Sequence, residues 1–219
     1  GLETALLERI VRSMAIAAEE AEVEIVTGDT KVVERGAATS IYITTSGVGL
    51  IPFGEEISGR NAKAGDAVLV SGSLGDHGIT VMNAREHLGF EGDLRSDAAP
   101  LSGLVNSMLS VYQATHALRD LTRGGLATAL NEIALASKVR IEIDEETIPV
   151  KNSVLAGCQM LGLDPLYVAN EGKLIAFVSR ESAGAVLKAM RDHPYGKDAA
   201  RIGTVVSGIP GVVMRTPIG

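Results

Sequence analysis

Tryptophan is missing from this chain and aromatic residues make up only 3 % of it, so the core has to close on Ala, Val, Leu and Ile. The single cysteine, Cys158, can form neither an internal disulfide nor a zinc cluster, which points to a reducing compartment and a cytoplasmic location. Basic residues are too few for a nucleic-acid-binding surface: 20 Lys and Arg face 27 Asp and Glu, a net charge of -7 with no basic cluster. No apolar run reaches membrane-spanning length, and no signal-peptide pattern opens the chain. Internal repeats and low-complexity tracts are absent as well. What is present is 46 % hydrophobic residues over 219 positions, enough for one large domain, or one and a half smaller ones, with a substantial core. Gly1 is followed at once by Leu6, Ile10 and Met14 in helical register, and Thr216-Pro217-Ile218-Gly219 comes just after a strand-like stretch. The expectation is a piece of a longer protein, cut at both ends.

Helical spacing covers residues 2–21, and 23–26 reads as a short β-branched strand. Gly28-Asp29-Thr30-Lys31 turns the chain, and 41–45 is a second strand ending in Gly47-Val48-Gly49. Residues 58–66, small, polar and glycine-bearing, mark the domain boundary. Beyond it come a strand at 67–70, a glycine turn at 71–78, a helix to 88, a loop at 91–100 and a helix over 101–115. A helix from the Gly-Gly pair to 136, an alternating strand at 140–144, a helix at 151–161 and a strand at 174–178 follow. Ala183, Val186, Leu187 and Met190 mark one more helix, and strands at 202–206 and 211–214 close the chain. Interleaved strands and helices, with antiparallel returns at the end, predict an α+β, mixed α/β fold.

The most informative segment is Asp120-Leu121-Thr122-Arg123-Gly124-Gly125-Leu126-Ala127, which opens a run with Leu126, Leu130, Ile133 and Ala134 at helical spacing. Gly124 and Gly125 fall at the helix N-terminus, where unpaired N–H groups and the positive end of the helix dipole can hold an anion. Asp120 and Thr122 can cap the helix, and Arg123 can offer a charged fork to phosphate or carboxylate. The plainer alternative is a capped core helix behind a tight turn. Asp29 follows a strand directly and can hold Mg2+, with Lys31 two residues on to meet phosphate or move a proton. Taken alone, that tetrapeptide also reads as a solvated turn.

The 71–78 turn has neither the Gly-Lys-Ser/Thr ending of a P-loop nor the Gly-x-Gly-x-x-Gly dinucleotide spacing. His77 within it is either a polar ligand contact or a helix-start histidine bonded to backbone. Asn170-Glu171-Gly172-Lys173 lies between two apolar runs. It is either a hairpin turn or part of a site in which a partly buried Glu171 serves as general base. Cys158 stands in an apolar helix with no basic neighbour and reads as a buried, inert thiol. His87, His116 and His193 show no metal-ligand spacing.

Four stretches carry a resemblance: Thr27-Gly28-Asp29-Thr30-Lys31-Val32-Val33, Ser71-Gly72-Ser73-Leu74-Gly75-Asp76-His77-Gly78, Asp120 to Ala127, and Leu163-Asp164-Pro165-Leu166-Tyr167-Val168-Ala169-Asn170-Glu171-Gly172-Lys173. In this order they resemble the HypE family of carbamoyl dehydratases in hydrogenase maturation. Its superfamily includes aminoimidazole ribonucleotide synthetase, selenophosphate synthetase and thiamine-monophosphate kinase. The similarity spans essentially the whole chain. It implies a truncated N-terminal ATP-binding and dimerisation domain (1–60) followed by a complete C-terminal α/β domain (61–219). The implied activity is ATP-dependent dehydration of a thiocarboxamide to a thiocyanate on the protein's own C-terminal cysteine, supplying cyanide to nickel–iron hydrogenase. By position, Asp29 belongs to the Mg2+–ATP site, and Lys31 and Glu171 flank the amide as the proton-handling pair. Asp120, Thr122, Arg123, Gly124 and Gly125 receive phosphate or the C-terminal peptide, and His77 and Asn170 contact substrate.

The implied partners are a carbamoyltransferase, an iron–cyanide scaffold and a second copy of the chain. The family carries further aspartates ahead of the region matching Gly1, and a Pro-Arg-Ile-Cys terminus beyond the region matching Gly219. The expectation is therefore a chain that folds, at least in its second domain, but does not turn over alone. Two rivals remain: a small-molecule synthetase or kinase of the same superfamily, which the Asn-Glu-Gly-Lys segment disfavours, and a non-catalytic docking module.

Overall fold

The computed structural model describes residues 2–34, 36–38, 40–51, 56–90, 93–111 and 115–218, and the chain divides into two compact units, Gly1–Glu55 and Glu56–Gly219. In the first unit the one regular element among the described residues is helix α1 (Thr4–Glu20), and none of its residues is buried. The apolar spacing that predicts this helix is real, yet Leu6, Leu7, Val11 and Ile16 remain 36 % to 59 % exposed. The strands predicted at 23–26 and 41–45 do not form among the described residues, because neither segment meets a ladder partner. β-branched composition suits a strand, but only a neighbouring strand satisfies its backbone.

The second unit is a single six-stranded sheet with helices on both faces. Its strands are β1 (Ala67–Val70), β2 (Thr115–Asp120), β3 (Arg140–Asp144), β4 (Leu174–Val178), β5 (Ala200–Val206) and β6 (Gly211–Arg215), in the order β2-β4-β1-β5-β3-β6. Every neighbouring pair is antiparallel except β3 with β6. The helices are α2 (Asp76–Glu86), α3 (Ser102–Leu109), α4 (Gly125–Ser137), α5 (Asn152–Leu161) and α6 (Ala183–Asp192).

Successive strand residues point to opposite faces, so a strand covered on both sides must be apolar throughout. β1 and β4 are buried at every position for that reason. On one face Val68, Val70, Ile175 and Phe177 pack with Leu126, Leu130 and Ile133 of α4. On the other, Leu69 and Ala176 pack with Leu104 and Met108 of α3 and with Val186 and Met190 of α6. A smaller cluster of Ile79, Val154, Cys158 and Val168 joins α2 to α5. β3 alternates as its sequence predicts, with Ile141 and Ile143 inside.

The mixed α/β class follows directly, with a correction of detail over residues 101–120. The helix predicted over 101–115 ends at Leu109; residues 112–114 lie outside the described residues, and Thr115 already belongs to β2. Thr-His-Ala-Leu-Arg-Asp has little intrinsic strand preference, and its pairing with β4 imposes the conformation. The antiparallel return predicted at the chain's end is present, since β5 and β6 run in opposite directions with β3 between them in the sheet. The loop predicted over 91–100 is described from Asp93, because residues 91–92 lie outside the described residues.

Where the second unit begins, His116 Nδ1 stands 2.9 Å from both carboxylate oxygens of Asp66, whose side chain is 4 % exposed. The Ser58 N–H donates to the His116 carbonyl at 3.1 Å, which fastens the segment before β1 to the start of β2. Among the described residues no helix is long and apolar enough to cross a membrane.

Candidate functional site

Val70 pairs with Ile175 and Asp120 with Leu174, so β1 and β2 end where β4 begins. Three loops meet at this end of the sheet: 71–75, 121–124 and 168–173. Asn170, fully buried, binds them together. Its Oδ1 accepts the Gly75 N–H at 2.8 Å, and its Nδ2 donates to the carbonyls of Leu121 at 3.1 Å and Val168 at 3.0 Å. The backbone joins in, with the Leu121 N–H donating to Lys173 O and the Asn170 N–H to Leu121 O, both at 3.1 Å. Asn170 is thus a structural tie, with both polar atoms of its side chain bonded within the protein. Residues 165–167 form a 3-10 turn, so the segment ahead of β4 is no hairpin.

A pocket of about 540 Å³ opens at this end, lined by Asp120, Thr122, Arg123, Gly124 and Glu171 together with Arg119 and Glu132. Five of the expected site residues therefore share one cavity. Gly125 lies buried just behind it. Gly124 is the N-cap of α4 at φ 77, and Gly125 follows at φ 60, both in the left-handed region that glycine tolerates. A Cβ on Gly125 would stand 2.5 Å from the Leu166 carbonyl oxygen and 2.7 Å from that of Val168. The expected capping by Asp120 and Thr122 does not occur: no side chain caps α4, and Thr122 Oγ1 donates to Asp120 Oδ2 at 2.7 Å instead. Arg119, which sequence reasoning missed, pairs with Glu132 at 2.8 Å and approaches Asp120 at 3.8 Å. Arg123 is exposed and makes no ion pair among the described residues. Glu171 is exposed too, so the partial burial expected for a general base is not met by the described residues.

A second pocket, of about 330 Å³, lies on the far side of the 170–173 segment and includes Ser73, Asp76, Asp97, Lys151 and Lys173. Lys151 Nζ pairs with the Asp76 carboxylate at 3.0 Å. Asp97 lines this second pocket and reaches the backbone of Glu171, which lines the first. Its Oδ1 accepts the Glu171 N–H at 2.9 Å, and Lys173 Nζ lies 3.6 Å from its Oδ2. No spacing in Ser96-Asp97-Ala98-Ala99-Pro100 announces this role, which depends on a contact across 74 residues. His77 lines neither pocket; its Nδ1 bonds to Ser96 Oγ at 2.9 Å, tying α2 to the same segment as Asp97. Its partner is thus a side chain and not the backbone group suggested by its position.

Asp29 and Lys31 belong to the first unit, where both are exposed, and Asp29 Oδ1 accepts the Thr30 N–H at 2.8 Å. A Mg2+ site needs several converging oxygen ligands. Among the described residues no group of three or more His, Cys, Asp or Glu can hold a metal ion, so they do not make a metal site on their own. Cys158 is buried in α5, and burial first, then the nearby Asp164 carboxylate, push its thiol above the ordinary value.

The family of AIR synthase related proteins, C-terminal domain, matches residues 63–214. Carbamoyl dehydratase HypE of Azotobacter vinelandii is 54 % identical over 100 % of the chain, which spans 64 % of that relative's length. The structure of a HypE–HypF complex aligns with a TM-score of 0.96 at 48 % identity, covering 100 % of this chain and 72 % of that one. Hydrogenase maturation protein HypE in complex with ATP aligns with a TM-score of 0.88 at 46 % identity, covering 100 % and 68 %.

Proposed function

Since the chain belongs to the AIR synthase-related family, in its HypE branch, we propose that it forms part of an ATP-dependent carbamoyl dehydratase of hydrogenase maturation. The observation that carries this is the convergence of Glu171 with Asp120, Thr122, Arg123 and Gly124 on one pocket at the strand ends. The substrate is a thiocarboxamide on a C-terminal cysteine of the intact protein, and the product is the thiocyanate. Residues 1–60 then belong to the ATP-binding, dimer-forming domain, and residues 61–219 are the C-terminal domain.

When bound, Mg2+–ATP would supply the phosphoryl group that turns the amide oxygen into a leaving phosphate. The chain's own residues handle binding and protons. Arg123 and the Gly124 turn, at an uncapped helix N-terminus, offer a cation and oriented N–H groups to phosphate or to the terminal peptide. Forming the nitrile takes two protons from the amide nitrogen: one is released to solvent when the amide oxygen is phosphorylated, and Glu171 Oε accepts the other as the carbon–oxygen bond breaks and phosphate leaves, with Lys31 as the second member of the proton-handling pair. Asp29 would contribute one ligand to the metal, the others coming from outside the described residues. The solved HypE–ATP and HypE–HypF assemblies support a nucleotide and a maturation protein as partners. A carbamoyltransferase, an iron–cyanide scaffold and a second copy complete the set, in the cytoplasm.

The test is ATP-dependent loss of water from the carbamoylated C-terminal thiol of the full-length protein, followed by mass spectrometry. Glu171→Gln and Lys31→Ala should each slow it by about 100-fold or more, the range of a lost proton-transfer group. Parental turnover in Glu171→Gln would overturn the assignment.

A further inference from the structure

We infer that Asp97 is the positioning residue for Glu171, and this rests on the role proposed for Glu171 above. Glu171 lies on a short segment whose other members are all fixed. Asn170 is held by three hydrogen bonds from its side chain. Gly172 is wedged so closely against the Asp97 carbonyl oxygen that no Cβ would fit. Lys173 has its carbonyl bonded to the Leu121 N–H at 3.1 Å, while its Nζ donates to Gly172 O at 3.2 Å.

Glu171 itself has a different kind of anchor. Its side chain makes no ion pair or hydrogen bond among the described residues, and its N–H donates to Asp97 Oδ1 at 2.9 Å. That bond restrains the peptide plane from which the Glu171 side chain departs, and so the place at the pocket from which the carboxylate reaches. Asp97 reaches this place from a different loop, and its side chain is only 4 % exposed.

Burial of a carboxylate is costly unless its oxygens are well paired. Here Oδ2 has no hydrogen-bond partner, and the nearest cation, Lys173 Nζ, is 3.6 Å away. Asp97 is therefore poorly optimised as a stabilising group and well placed as an orienting one. A shift of about 1 Å in a reacting group can lower a rate about 100-fold, which is the scale available to such an anchor.

Three variants of the full-length protein test this by thiocyanate formation, with a second readout in the 219-residue chain. Asp97→Ala, with the rate referred to the folded fraction measured by circular dichroism, should lower kcat between about tenfold and 100-fold and leave the KM for ATP within about twofold. Asp97→Asn keeps an oxygen that accepts the Glu171 N–H and should recover kcat to within about fivefold of the parent. In the 219-residue chain, amide hydrogen exchange at Glu171 should speed up about tenfold in Asp97→Ala and stay near parental in Asp97→Asn. Unchanged exchange or unchanged kcat in Asp97→Ala overturns the inference, as does an Asp97→Asn variant no better than Asp97→Ala. If Glu171→Gln is inactive while Asp97→Ala keeps its kcat, only the positioning role fails. If Glu171→Gln turns over normally, both assignments fall together.

Discussion

Asn170 and Gly75, 95 residues apart in the chain, are joined by a buried hydrogen bond of 2.8 Å from the Gly75 N–H to the Asn170 side-chain oxygen. The bond connects the turn after β1 to the segment before β4, and the Asn170 amide nitrogen extends the tie to Leu121, just past β2. One side chain thus holds together all three loops from which the pocket is built.

Removing that side chain strands the Val168 carbonyl and the Gly75 N–H in a dry environment, while the Leu121 carbonyl keeps the Asn170 backbone N–H. Asn170→Ala should cost about 2–4 kcal/mol, since each unsatisfied buried group costs about 1–3 kcal/mol and some relaxation is available. Asn170→Asp should cost more, because a buried carboxylate would face the carbonyl oxygens of Leu121 and Val168. Urea unfolding of the 219-residue chain measures both. A loss below about 1 kcal/mol in Asn170→Ala would mean that water replaces the amide without penalty.

Cys158 gives a prediction in pH. Burial and the Asp164 carboxylate both disfavour the thiolate, so the folded thiol ionises above its ordinary value of 9.0. Unfolding releases that constraint, so the unfolded chain loses the proton first as pH rises. The contribution is intact below pH 9.0 and is lost as pH climbs through the raised folded value. Stability against pH should therefore fall on the alkaline side more steeply in the parent than in Cys158→Ala, although the variant starts about 1 kcal/mol lower from lost packing. Identical alkaline slopes would remove the thiol from the account. Native-state alkylation should also be slow at neutral pH and accelerate only with local opening.

The parts of this fold legible in sequence are those whose pattern is enforced by burial close by. β1 and β4 announce themselves as unbroken apolar runs because helices cover both faces, and α4 shows its stripe because one side meets the sheet. β2 is not legible: His116, Arg119 and Asp120 follow no strand pattern, and only the pairing with β4 makes them one. Residues 23–26 fail in the opposite sense, carrying the composition of a strand but no neighbour among the described residues.

The site divides in the same way. Gly124, Asp120 and Glu171 lie in short recognisable segments, and the pocket does gather them, with Gly125 buried just behind. Asp97 and Arg119 belong to it through tertiary contacts with Glu171 and Glu132, for which no local spacing exists. Asn170 lies within a recognisable segment, yet its work is internal, because burial turns a polar side chain into a tie.

The two glycines at the start of α4 should respond differently to the same substitution. Both have positive φ, 77 for Gly124 and 60 for Gly125, so alanine is strained at either by about 1 kcal/mol. Their surroundings differ. A Cβ on Gly124 would press on Thr128 Oγ1, which can rotate away, and stand 2.7 Å from Thr128 Cβ, which a small shift of the first turn of α4 relieves. A Cβ on Gly125 would meet two backbone oxygens, those of Leu166 and Val168, at 2.5 Å and 2.7 Å. These belong to the strand of chain leading to Asn170 and Glu171, so relief requires moving the segment that forms the pocket wall. Gly125→Ala should therefore lose about 3 kcal/mol or more, and Gly124→Ala about 1–2 kcal/mol, in urea unfolding. Gly125→Ala should also loosen amide-exchange protection at Asn170 and Glu171, whereas Gly124→Ala should leave it in place. Equal losses in the two variants would show that backbone strain alone governs both positions, and that the approach of α4 to residues 166–168 is slack enough to admit a methyl group.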